Sequence, residues 1–150
     1  PGGATLVFKV ELLEVEQPPR YDSFQDAMDF VQSQGVDIEA GSFSPTGLWF
    51  VDTVVGSGER PGPTDTVEVH YTGWLTTGKK FDSSKDRGQP IEFALNGVIP
   101  GWTEGVGGML PGGTRWLVIP FDLAYGANGR PPVIPPRATL IFEVELLAVK

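Results

Sequence analysis

Ala138-Thr139-Leu140-Ile141-Phe142-Glu143-Val144-Glu145-Leu146-Leu147 puts Leu140, Phe142, Val144 and Leu146 on one side of an extended chain. A period of two is the signature of a half-buried β-strand. A near copy stands at the start: Ala4-Thr5-Leu6-Val7-Phe8-Lys9-Val10-Glu11-Leu12-Leu13, with Leu6, Phe8, Val10 and Leu12 on one face. A repeat of this kind takes precedence over local signals, yet the sequence between the two copies has no duplicate. Residues 1–16 therefore read as the terminal strand of a preceding, related domain, the alternative being an extra strand of this one. A chain that opens on Pro1 reads as a processed or excised piece.

Working inward from these copies, Gln17-Pro18-Pro19-Arg20 reads as a stop, because proline has no N–H for a strand ladder. Phe24, Ala27, Met28 and Val31 then fall at helical spacing, with Asp22 or Ser23 to cap the start and Gly35 to end it. Residues 17–45 are accordingly a linker carrying an amphipathic helix over 22–34, with residues 35–47 loop-like. Beyond it, turn residues punctuate alternating runs at 48–55, 66–74, 91–95, 114–120 and 139–149, the pattern of a mostly antiparallel sheet. All four tryptophans, and every glycine except Gly2, Gly3, Gly35 and Gly41, lie in 46–150, so the compact domain is there. One further helix opens after Pro100-Gly101, with Trp102, Val106 and Met109 on one stripe and Pro111-Gly112-Gly113 as its stop.

Composition narrows the chemistry. The 150 residues suit one ordinary domain with an appendage. Apolar residues at 40% can build a core, while 20 glycines and 14 prolines imply short strands and many turns. The absence of cysteine excludes disulfides, thiol nucleophiles and thiolate metal sites, and leaves the compartment open. A net charge of −8 argues against a nucleic-acid partner. No run approaches the ~20 apolar residues of a membrane-spanning helix.

The single histidine, His70, faces away from the apolar side of Val67, Val69 and Tyr71, and reads as a surface histidine paired with an acid. With His70 as the single histidine, neither a Ser-His-Asp triad nor a multi-histidine metal centre is expected. Asp82 to Gly88 resembles a calcium loop only superficially, since Arg87 and Phe93 occupy the places of its glycine and final acid. Gly105-Val106-Gly107-Gly108 lacks the lysine and hydroxyl of a phosphate loop. No metal and no cofactor is expected. What remains is a concentration of aromatic and branched residues beside Asp82 and Arg87, a charge pair by their spacing. The long proline-rich loop from Ala124 to Pro136 ends in hydrophobes and reads as a flap.

Val69-His70-Tyr71-Thr72-Gly73-Trp74-Leu75, Gly78-Lys79-Lys80-Phe81-Asp82-Ser83-Ser84, Asp86-Arg87-Gly88-Gln89-Pro90, Val98-Ile99-Pro100-Gly101-Trp102, Ala124-Tyr125-Gly126 and Ile134-Pro135-Pro136 occur in that order. Together they resemble the FK506-binding-protein (FKBP) family of peptidyl-prolyl cis-trans isomerases over residues 46–150. The resemblance implies an α+β fold, a curved antiparallel sheet wrapped around one short α-helix, here with an N-terminal extra strand and helix. It implies an isomerase of X–Pro bonds that aids protein folding, the alternative being an FKBP-fold peptide-binding or chaperone module with little catalysis. The roles it implies are Trp102 as the floor under the substrate proline and Tyr71, Phe81, Val98, Ile99 and Phe142 as walls. The Ile99 amide and Tyr125 hydroxyl would hold substrate carbonyls, Asp82 and Arg87 would stand at the lip, and Val133 and Ile134 on the flap. Ile91 occupies a wall position that is commonly aromatic in the family, and Phe121 one that is often proline or polar. Proline-containing polypeptides are the implied partners, with macrolides of the FK506 and rapamycin type as ligands. Strand exchange through residues 4–15 is a further expectation, because that segment copies the terminal strand.

Overall fold

A computed structural model describes residues 24–150. The segment expected to be an N-terminal strand, and the start of the expected linker, fall in residues 1–23 and lie outside the described residues.

Strand order follows from where the apolar alternation can be buried on both faces. The strands are β1 (Ser42–Phe43), β2 (Trp49–Val54), β3 (Thr66–Leu75), β4 (Lys80–Ser83), β5 (Ile91–Ala94), β6 (Thr114–Ile119) and β7 (Leu140–Val149). They form one antiparallel sheet in the order β1-β2-β6-β7-β3-β4, and β5 pairs with the first half of β3. β7, the strand read first, is central: it pairs along its length with β3 on one side, and over Leu140 to Glu145 with β6 on the other. Register shifts at Glu68/Val69 and Gly73/Trp74 mark irregularities along β3, the local device by which a sheet bends and twists.

The concave face receives α3 (Pro100–Gly107). Pro100 stands at its first helical position, where a missing N–H costs nothing. Trp102, Val106 and Met109, the stripe read from the sequence, are buried with Leu117, Ile119, Leu140, Phe142, Val144 and Leu146 in one core. The opposite face receives α1 (Phe24–Ser33). Its Ala27, Met28 and Val31 bury against the alternate residues of the same strands: Trp49 and Val51, Trp116 and Val118, and Ile141. Under it Trp74 and Trp116 stack at 5.2 Å, and Phe30 tilts onto Trp74 at 5.1 Å.

Three features differ from the sequence reading. Residues 35–47 are not wholly loop: a 3₁₀ turn at Ile38–Ala40 and β1 lie there. β4 and a single helical turn, α2 (Ser84–Arg87), follow the β3–β4 turn, and both are too short for periodicity to detect. Among the described residues His70 is paired with a hydroxyl and not with an acid: its Nδ1 lies 2.9 Å from Ser84 Oγ. The physical reason is α2, which folds Ser84 back under β3, where it also accepts from the Tyr71 amide at 2.8 Å.

Candidate active site

Four elements converge at one mouth of the sheet. β3 and β4 carry Tyr71, Phe81 and Asp82, α3 carries Trp102 in its first turn, and β7 carries Phe142. Between them lies a cavity of about 440 Å³ whose lining also includes Phe93, Val98, Ile99, Tyr125 and Arg130. Trp102 is held at its base by rings that meet it edge to face: Tyr71 at 5.2 Å, Phe93 at 5.2 Å and Phe142 at 5.4 Å. Phe81 meets Phe142 edge to face at 5.6 Å. Such edge-on packing is the favoured arrangement of aromatic quadrupoles and leaves a stiff apolar wall. The Trp102 Nε1 is the one buried side-chain polar atom without a hydrogen-bond partner among the described residues.

Polar groups stand at the rim. α2 is capped at its start by Ser83, whose side chain accepts from the Asp86 amide, and stopped by Gly88 in the left-handed region at φ 80°. That tight turn brings Arg87 back onto its neighbour in sequence: Arg87 Nη1 donates to Asp82 Oδ1 at 2.6 Å, and Nη2 donates to the Tyr71 hydroxyl at 3.2 Å. The Tyr71 hydroxyl in turn donates to Asp82 Oδ2 at 2.5 Å. Burial pushes the Asp82 carboxyl up, but hydrogen bonds from Tyr71 and Arg87 outweigh it and hold the group below its ordinary range. Burial and the hydrogen bond to Asp82 raise the Tyr71 phenol above its ordinary value, against the opposing pull of Arg87. The three side chains thus form a charge-assisted brace with its proton fixed on Tyr71 at neutral pH.

Ile99 closes the far wall at the entry to α3. Its carbonyl accepts from the amides of Trp102 and Thr103, while its own amide takes no part in the backbone hydrogen bonds of that turn. Tyr125 lies on the flap, with the Arg130 guanidinium 5.7 Å from its ring centre.

Of the residues singled out in the sequence, Tyr71, Phe81, Asp82, Val98, Ile99, Trp102, Tyr125 and Phe142 are brought together around the cavity. Arg87 acts from behind the rim through Asp82 and Tyr71. Val133 and Ile134 line a second, adjoining cavity of about 300 Å³ that shares Phe81, Asp82, Tyr125 and Arg130 with the first. Ile91 is outside both linings and packs against the concave core. Phe93, two residues along the same face of β5, takes the aromatic wall instead. Phe93 and Arg130 went unassigned in the sequence, although alternation with Ile91 was a usable signal for Phe93. Phe121 carries the Arg137 guanidinium over its ring at 5.9 Å.

An FKBP-type peptidyl-prolyl cis-trans isomerase family model matches residues 57–147. The chain belongs to this family. It is 54% identical over 107 residues to the FKBP-type peptidyl-prolyl cis-trans isomerase FkpA of Escherichia coli K12, covering 71% of this chain and 39% of that protein. The chain thus spans about two fifths of that relative's length. It is also 54% identical over 105 residues to an FK506-binding protein of Neisseria meningitidis serogroup B, covering 69% of this chain and 96% of the relative. The crystal structure of Escherichia coli FkpA superposes with a TM-score of 0.75 at 46% identity, over 86% of this chain and 60% of that one. AtFKBP13 gives 0.69 at 41% identity, over 73% of this chain and 98% of that one. The curved antiparallel sheet around a short helix is therefore the FKBP fold.

Proposed function

We propose that this FKBP domain accelerates rotation about X–Pro bonds in unfolded or flexible polypeptides, without covalent chemistry, inside the aromatic cavity. The observation that carries this reading is the buried Trp102 indole at the base of an open apolar cup. An X–Pro bond rotates over an uncatalysed barrier of about 18–20 kcal/mol, on a scale of tens of seconds. No bond is made or broken, so neither nucleophile nor proton carrier is required. The planar imide is stabilised by charge-separated resonance, which water favours. The twisted imide is less polar, so a dry wall favours it relative to the planar ground state.

In this reading the substrate proline rests on Trp102, with Tyr71, Phe81, Phe93, Val98, Ile99 and Phe142 around it. The Ile99 amide and the Tyr125 hydroxyl hold the flanking carbonyls while the rest of the chain rotates. The amide's absence from the local backbone network supports its part. Asp82 and Arg87 brace Tyr71, and Val133 and Ile134 edge the path out of the cup. A lowering of the barrier by about 7 kcal/mol corresponds to roughly 10⁵-fold. Burying a proline ring supplies only about 2 of these, so preferential stabilisation of the twisted state supplies the rest. Macrolides of the FK506 type would occupy the same cup and compete with peptide.

A protease-coupled assay on a short X–Pro peptide tests the proposal. The slow phase should shorten in proportion to protein concentration, whereas a peptide-holding or chaperone module would leave its rate unchanged. A second reading concerns residues 1–16, read as the terminal strand of a related domain, because their sequence copies β7. Residues 4–15 would then compete for the β7 position within or between molecules. Light scattering with and without residues 1–20 tests this exchange, and an unchanged monomer in both removes it.

A further inference from the structure

We propose that Arg130 sets substrate preference, favouring X–Pro segments with a carboxylate side chain next to the proline; this rests on the isomerase reading of the cavity. Arg130 lines both adjoining cavities. The only other charged residue in either lining is Asp82, whose two oxygens are already engaged by Arg87 and Tyr71. Arg130 has no ion pair among the described residues, and its guanidinium lies over the face of Tyr125. It therefore presents an uncompensated positive charge at the shared mouth, in a chain of net charge −8.

Its backbone is held in place. The Arg130 amide donates to the Ile134 carbonyl at 2.8 Å, and the Ile134 amide returns a bond to the Arg130 carbonyl at 2.9 Å. The guanidinium is thus carried on a pinned turn, with its central carbon 5.7 Å from the centre of the Tyr125 ring, and a guanidinium is a planar fork donor suited to a carboxylate. A proline seated on Trp102 leaves the first cavity past Phe81, Asp82, Tyr125 and Arg130, the residues the two cavities share; with the Asp82 carboxylate taken up by Arg87 and Tyr71, Arg130 carries the charge left to face a substrate side chain. A neighbouring Glu or Asp would meet Arg130 there, and a Lys would be repelled.

The test uses peptides that differ only in Glu, Gln or Lys, placed before the proline in one set and after it in another. The wild-type chain and Arg130→Gln and Arg130→Glu variants are compared by the Glu-to-Lys ratio of kcat/KM and by the same ratio in equilibrium binding. For an exposed ion pair the expected ratio in at least one set is about two- to five-fold in favour of Glu. It should fall to about one in Arg130→Gln, reverse in Arg130→Glu, and shrink in wild type as salt is raised. Ratios that are equal in all three proteins, or that ignore salt, overturn the assignment. Failure of every peptide to be turned over contradicts the isomerase reading instead, and the binding ratio still decides the role of Arg130.

Discussion

Asp82 accepts from two donors, and its effect on stability and on turnover should separate. The native carboxyl lies below its ordinary range, so the stability it contributes is present above about pH 4 and is lost as pH falls through the native value. Its side chain is 37% exposed, so solvent screens the interaction and the loss is modest. Denaturation midpoints of wild type and Asp82→Asn should therefore differ at pH 6, and the gap should begin to close below about pH 4 and vanish only as pH falls through the lowered native value; a gap that is the same at pH 6 and in strong acid contradicts the brace. For Tyr71 the sign is opposite. A raised phenol contributes stability that is complete below about pH 10 and is lost as pH rises through the native value. In turnover, Asp82→Ala removes a brace and should lower kcat/KM by about three- to ten-fold, while Trp102→Ala and Phe142→Ala open the cup and should lower it by at least about thirty-fold. Melting curves check that each variant is folded, and a series in which Asp82→Ala alone is inactive would reverse the ranking. At this scale most of the site was legible, because aromatic residues and an acid–base pair stand out in sequence. Arg130 was not, since nothing in a proline-rich loop tells which side chain turns toward the cavity.

α3 lies directly on β6 because it carries glycine where it touches. A Cβ at Gly101 would stand 2.5 Å from Ile119 Cγ2 and 2.9 Å from Cδ1, and one at Gly105 would stand 2.6 Å from Leu117 Cδ2. Ile119 is β-branched and buried, so it has little freedom to give way. Gly101→Ala should gain up to about 1 kcal/mol of helix propensity and lose about 1–3 in overlap, a net destabilisation of roughly 1 kcal/mol in urea unfolding. Trp102 is the next residue, so the same variant should also raise KM for peptide. Stability equal to or above wild type would show that the helix can lift without cost. The far end of α3 is held by Arg115, which donates to the Gly105 carbonyl at 2.9 Å and to both oxygens of Asp52 at 2.7 and 3.0 Å, a cation where the helix dipole favours one. The long strands were legible as elements because alternation survives across six or more residues. β1, β4 and α2, at two, four and four residues, were not. The positions of β1 and β4 are decided by pairing with β2 and β3, and that of α2 by the caps at Ser83 and Gly88.

Across the whole molecule, β2, β3, β6 and β7 contribute residues to two cores, one under α3 and one under α1. Periodicity shows that α1 has an apolar face, but only the sheet reveals that the face covers the side opposite the cavity. Met28→Ala should therefore cost about 2–4 kcal/mol of stability while leaving kcat/KM per folded molecule unchanged. Urea unfolding paired with kinetics below the transition checks this, and a selective loss of turnover would tie the rear core to the cup. The central claim is that a dry ring-walled cavity lowers the barrier to imide rotation. Exchange NMR on an X–Pro peptide at equilibrium reads that rotation without a coupled protease. With catalytic amounts of wild type, cis–trans exchange should be far faster than tens of seconds, largely retained in Asp82→Asn and largely lost in Phe142→Ala. Peptide resonances that shift on binding while the exchange rate stays at its uncatalysed value would contradict that claim.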